Sequence, residues 1–143
     1  MPFRTLRATA MVLAMGGPLA TLVACSAPSP AESPQSVAEV QAIVSAATGY
    51  GGAALGLGAT PAQITVTIVN GPVAGRSAGE RQTDAQRVVF AVANAIKDRP
   101  EFGKVHTVHV DYVTSQTDGG ARKVVDGFDF RKDPQGVFQR HQT

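Results

Sequence analysis

Cysteine is almost missing from this sequence: Cys25 is the only one. That excludes an intramolecular disulfide and a thiolate zinc cluster. Tryptophan is absent, and the aromatic set is only 2 Tyr and 6 Phe. The folded part must therefore hold by aliphatic packing and hydrogen bonds. No comfortable membrane-spanning run of about 20 apolar residues is present either. The apolar stretch over residues 8–20 is short and is interrupted by Gly16-Gly17-Pro18. An excess of one charge is missing too. There are 13 Lys and Arg against 11 Asp and Glu, and two of the Arg, Arg4 and Arg7, lie in the first 24 residues, where no acid lies. The rest carries 13 − 2 = 11 basic and 11 acidic residues. Nucleic-acid binding needs a basic footprint that persists in the folded part, so no such partner is expected. The 143 residues suffice for one modest domain with a single core and no large buried catalytic cavity.

What is present begins at the N-terminus. A basic start with Arg4 and Arg7 and a short apolar run lead to Leu22-Val23-Ala24-Cys25. This stretch, residues 1–26, resembles the lipobox signal peptide of bacterial lipoproteins. The resemblance implies diacylglycerol on the Cys25 thiol and cleavage between Ala24 and Cys25. The mature protein is then a lipid-anchored component of the cell envelope. Each buried methylene contributes about 0.8 kcal/mol, so two or three acyl chains hold firmly where one does not. Ser26, rather than Asp, follows the cysteine. In a two-membrane bacterium that resembles the default route to the outer membrane, facing the periplasm. Residues 25–36, rich in Pro and Ser, read as an extended spacer. Residues 37–143 read as one small α+β domain.

Within that domain Ser36 and Glu39 have capping-box spacing, and Val37, Val40, Ile43, Val44 and Ala47 repeat at helical period. A helix over 37–48, ended by Gly49, is expected. The Gly-rich run 49–58 follows a helix and lacks a Lys with Ser or Thr, so it is not a phosphate loop. It reads as a flexible apolar connector with some helix around residues 53–57. Strict alternation over 63–69 places Ile64, Val66 and Ile68 on one face of a strand. A long helix follows, with candidate starts at Ser77/Glu80 and Thr83/Gln86, an apolar stripe from Ala85 to Ile96, and an end forced by Pro100. Its Arg81 and Arg87, balanced by Glu80 and Asp84, read as a solvated face. Strands over 104–113 and 122–130 come next. A short fourth strand, 137–141, returns through Asp133-Pro134-Gln135-Gly136.

Register follows from parity. Opposed residues of an antiparallel pair share a face. Val108, Val110 and Tyr112 are even, as are Val124, Phe128 and Phe130, so the connecting loop must hold an odd number of residues. Asp118-Gly119-Gly120, or the five-residue loop around it, sets Val110 against Phe128 and Val108 against Phe130. Asp126 then stands opposite Tyr112, near the sheet end, where rim solvation or a bond from a Tyr hydroxyl accounts for it. A three-residue loop likewise returns Phe138 to the Phe128 face. The expected fold is a two-layer sandwich in the order α-β-α-β-β-β. Its mixed sheet has three to four strands, and both helices cover one face. The crossover through the second helix is expected to be right-handed.

The uncovered face would show Thr65, Thr67, Thr107, His109, Asp111 and Asp129. The derived register brings His109 against Asp129, with Asp111 beside it. A His with carboxylates suits base catalysis or metal binding. No activated nucleophile accompanies it, and an open sheet face excludes water poorly. His106 reads as a strand-end residue, and His141 as part of a frayed terminus. The favoured function is a non-catalytic binding or assembly module with no cofactor, held to the membrane by lipid on Cys25 and meeting an envelope protein. The alternative is a small periplasmic metal-binding protein or enzyme using His109, Asp111 and Asp129.

Overall fold

The computed structural model describes residues 33–116 and 120–141. Ala24, Cys25, most of the spacer and the centre of the turn at Thr117-Asp118-Gly119 lie outside the described residues. The elements are α1 (Pro34–Thr48), β1 (Leu55–Ala59), β2 (Gln63–Val69), α2 (Ala78–Ile96), a 3₁₀ turn (Pro100–Phe102), β3 (Thr107–Thr114), β4 (Lys123–Lys132) and β5 (Phe138–His141). The sheet has five strands in the order β1-β2-β3-β4-β5. Only the β2–β3 pair, joined through α2, is parallel.

The fold is α+β, as the patterning implies, but the expected strand count and order fall short by β1. Residues 55–59 were expected to be connector or helix. They instead form a hairpin with β2, with Gly56 opposite Thr67 and Gly58 opposite Thr65. Glycines lower strand propensity. Here tertiary pairing and the burial of Leu55 override that preference. As an edge strand, β1 turns the backbone groups of Leu55 and Leu57 away from β2. The Gln41 side chain of α1 takes both: Nε2 donates to Leu55 O at 3.0 Å, and Oε1 accepts from Leu57 N–H at 3.2 Å. A side-chain amide thus blocks part of an edge that would otherwise template aggregation.

Helix α1 starts at Pro34 rather than at residue 37, with Ser33 at the N-cap and the proline in the first turn. Proline fits there because its missing N–H has no intrahelical partner in any case. The Ser36–Glu39 capping box is not used; Glu39 reaches Arg99 at 2.9 Å instead. Gly49 closes the helix at φ 76°, its N–H donating to Ser45 O. Of the two candidate starts of α2, Ser77 is the one used. Its hydroxyl accepts from Glu80 N–H, and the Glu80 carboxylate accepts from Ser77 N–H.

One core fills the space between sheet and helices. Ile64, Val66, Ile68, Val108, Val110, Tyr112, Phe128 and Phe130 come from the sheet, and Val40, Val44, Ala85, Val88 and Val92 from the helices. Burying each large aliphatic or aromatic side chain contributes roughly 1.5–3 kcal/mol, so this layer carries the stability that disulfides cannot supply. Strand β3 starts at Thr107, later than residue 104, because the 3₁₀ turn drives Phe102 into the core and Val105 is buried beside it.

The deduced register holds: Val110 faces Phe128, Val108 faces Phe130 and His109 faces Asp129. It breaks after Tyr112–Asp126, where a bulge sets Val113 against Val124. A bulge carries the following residues to the other face. Val124 therefore leaves the Phe128 face and is 58% exposed. The pairing ends at Thr114–Lys123, so the expected tight three-residue turn is replaced by a connection over 115–122. Asn70 holds its start, donating to Ser115 O at 3.0 Å and accepting from Ser115 N–H at 2.8 Å. The last turn follows the expected scheme. Asp133 N–H donates to Val137 O, Gly136 adopts φ 84°, and Phe138 packs on the core.

Candidate functional site

His109, Asp111 and Asp129 converge on the sheet face that neither α1 nor α2 covers. Nδ1 of His109 lies 2.7 Å from Asp129 Oδ1, and Nε2 lies 2.8 Å from Asp111 Oδ1. The backbone explains the geometry. Asp129 is directly across β4 from His109, and Asp111 is two residues along β3 on the same face. An imidazole reaching both must lie flat over the position between them. That position is Gly127, which faces Asp111. A Cβ there would stand 3.0 Å from Asp111 Oδ1 and 3.4 Å from a ring carbon of His109. Glycine at 127 leaves the room that these two side chains occupy; it is not at positive φ.

Each ring nitrogen faces a carboxylate oxygen, an arrangement that favours the imidazolium, the form in which both nitrogens donate. Burial of the ring lowers its pKa, but the bonds to Asp129 and Asp111 and their charges outweigh burial, and the His109 pKa is raised above its usual value. A general base or a metal ligand needs one unprotonated nitrogen aimed at its target. Here neither nitrogen is free. Among the described residues no group of three or more His, Cys, Asp or Glu side chains is arranged to hold a metal ion.

The site has a measurable signature. A raised folded pKa adds stability that is complete below the unfolded value near 6.5 and fades as pH rises through the folded value. The side chains of His109 and Asp129 are 26% and 43% exposed, so screening keeps the contribution near 1 kcal/mol. The stability difference between the parent and His109→Gln is expected to be greatest at pH 5 and to shrink above about pH 6.5. Gly127→Ala is expected to displace the ring from Asp111 and lower the His109 pKa. Chemical denaturation across pH and an NMR titration of the imidazole measure these two effects.

A second polar cluster lies on the helix side and was not anticipated. Asp84 was read as a solvated partner of Arg87, yet it is 8% exposed. Its Oδ2 accepts from Tyr50 OH at 2.6 Å and from Tyr112 OH at 2.7 Å, and its Oδ1 accepts from Arg87 at 2.7 Å. Arg87 also donates to Thr48 O, at the end of α1, and its guanidinium stands over the Tyr50 ring. One carboxylate thus ties α1, the Gly-rich segment, α2 and β3 together. Burial, followed by the bonds to Asp84, pushes both tyrosine pKa values well up. Gly71 completes the fit: a Cβ there would meet Ile68 at 2.6 Å and Tyr50 at 3.1 Å. The available signal was the spacing Asp84, Val88, Ala91, Ala95, which puts the acid on the flank of the apolar stripe.

Arg81 corrects the solvated-face reading as well. Its side chain is 13% exposed and pairs at 3.1 Å with Asp126, which was expected to be solvated at the rim or bonded to a tyrosine. His106 is exposed, with Nδ1 3.3 Å from Lys104 O. His141 was expected to fray, but it belongs to β5 and sits across from Asp129.

Among the described residues no helix is long and apolar enough to cross a membrane. No protein-family model, curated protein or solved structure matches the chain significantly.

Proposed function

We propose that this chain is a lipid-anchored bacterial envelope protein whose folded unit is a non-catalytic binding or assembly module. The observation that carries the anchor is the sequence Leu22-Val23-Ala24-Cys25 standing just ahead of a fold whose core begins only at Val40. Residues 26–32, seven in number, separate Cys25 from the N-cap Ser33. At about 3.3 Å per residue they span at most roughly 25 Å, which keeps the domain close to the bilayer. With Ser26 after the cysteine, the outer membrane facing the periplasm is its place in a two-membrane bacterium.

The non-catalytic reading rests on His109. Its nitrogens are committed to two carboxylates, and it lies on an open sheet face that excludes water poorly. The metal-binding or enzymatic alternative at His109, Asp111 and Asp129 first requires one of those bonds to break.

Metabolic labelling with a palmitate analogue in a bacterial host tests the anchor. The parent chain is expected to incorporate the label and Cys25→Ser to incorporate none. Label in both, or in neither, contradicts the proposal.

A further inference from the structure

The two edges of the sheet are treated differently, and the unprotected one lies beside an apolar groove. Gln41 blocks the β1 edge. At the other edge, the β4–β5 register and the Asp133 N–H to Val137 O bond make Asp133–Val137 a hydrogen-bonded pair. Alternation then places Phe138 and Arg140 in non-bonded pairs with Lys132 and Phe130, their N–H and C=O groups directed away from β4. No described backbone group takes them.

Next to this edge, α2 and β5 enclose a groove of about 370 Å³ lined by Val89, Phe90, Ala93, Phe130, Val137 and Phe138. Phe90 is 70% and Val137 52% exposed on its rim. Two helices, each about 10 Å wide, do not fully cover five strands spaced about 4.8 Å apart, and the shortfall comes here.

The surrounding charge identifies the occupant. Lys132 stands over the Phe138 ring and Arg140 over the Phe128 ring. Lys97 lies farther along the same cleft, and Arg131 is on the opposite face, across from Gln139. None of these four cations forms an ion pair among the described residues. Of the nearby acids, Asp133 is used by its own turn, accepting from Gln135 and Val137 N–H, and Asp98 adjoins Lys97 in the cleft lining. A second copy of this edge would bring like charges together.

We infer that the β5 edge and its groove receive an extended, acidic segment of a partner protein, which adds as a sixth strand with apolar side chains against Phe90 and Phe138 and carboxylates on the opposite face toward Arg131, within the field of Lys97, Lys132 and Arg140. Backbone bonds to Phe138 and Arg140 give the register, and the groove and charges give selectivity. This deepens the binding-module reading and does not depend on the lipid.

The test uses the full chain carrying Cys25→Ser in detergent, so failure of the anchor leaves the result intact. The probe is an acetylated eight-residue peptide of alternating Val and Glu. Calorimetry is expected to show saturable binding that weakens with salt, is lost for the Val–Lys peptide and for a backbone N-methylated Val–Glu peptide, and drops about tenfold in Phe90→Ala. Phe90 is exposed, so this variant keeps its fold. Amide signals of Phe138 and Arg140 should shift and exchange more slowly, while those of Leu57 and Ala59 stay unchanged. No binding at millimolar peptide, equal binding of the Val–Lys or N-methylated peptide, perturbation at β1, or self-association through β5 would each overturn the inference.

Discussion

Asp84→Ala is expected to destabilise the fold by about 3 kcal/mol, in the range found when one member of a buried polar network is removed. The loss does not come from the carboxylate alone. Tyr50 and Tyr112 each direct a buried hydroxyl at Asp84 Oδ2, and both are orphaned together. Arg87 keeps its bond to Thr48 O and retains solvent, so it contributes the smaller share. For a domain of about 100 residues, a loss of this size lowers Tm by roughly 12–24 °C. Tyr112→Phe and Tyr50→Phe remove one donor each and leave Asp84 with two partners, so about 1 kcal/mol apiece is expected. Because the two tyrosines share one acceptor atom, Asp84 Oδ2, the double tyrosine variant should cost more than the sum of its parts. Thermal melts followed by circular dichroism measure all four.

The same network sets the alkaline limit of stability. Both hydroxyls have folded pKa values raised by burial and by Asp84. In the unfolded chain they ionise near pH 10. Below that pH, folded and unfolded states hold the same tyrosine protons and the stabilisation is complete. Above it the unfolded state gives up protons that the folded state keeps. Each tyrosine then lowers stability by about 1.4 kcal/mol per pH unit, close to 3 kcal/mol per unit for the pair. Unfolding free energy is thus expected to turn down steeply past about pH 10, with the slope halved in Tyr112→Phe. A slope unchanged by that substitution would place the alkaline transition elsewhere. The His109 contribution fades in the same direction but from lower pH and with smaller size, so the two are separable on one pH curve.

Periodicity made much of this fold legible. Alternation in residues 63–69, the stripe of α2 and the even parity of Val108, Val110, Phe128 and Phe130 are enough to bring His109 against Asp129. The failures have physical causes. Strand β1 is glycine at alternate positions, so it has no outward side chains to alternate, and its pairing comes from the neighbouring strand and from Gln41. Residues 102–105 carry a buried Phe and Val at turn spacing, which reads as strand. The bulge after Tyr112 leaves no local mark, because one extra residue in β4 changes register without changing composition. Asp84 was missed because an acid beside an arginine on a helix ordinarily faces water; only its spacing with Val88 and Ala91 placed it inward. Gly127 carried no signal, since its role is the absence of a side chain beneath the His109 ring.

The central proposal is that a small α+β domain is held to a membrane by lipid on Cys25. Intact-mass spectrometry of the protein purified from membranes of its native host tests it most directly. A chain that begins at Cys25, lacks residues 1–24 and carries the added mass of diacylglycerol is expected. A chain that retains residues 1–24 with no lipid mass would contradict it.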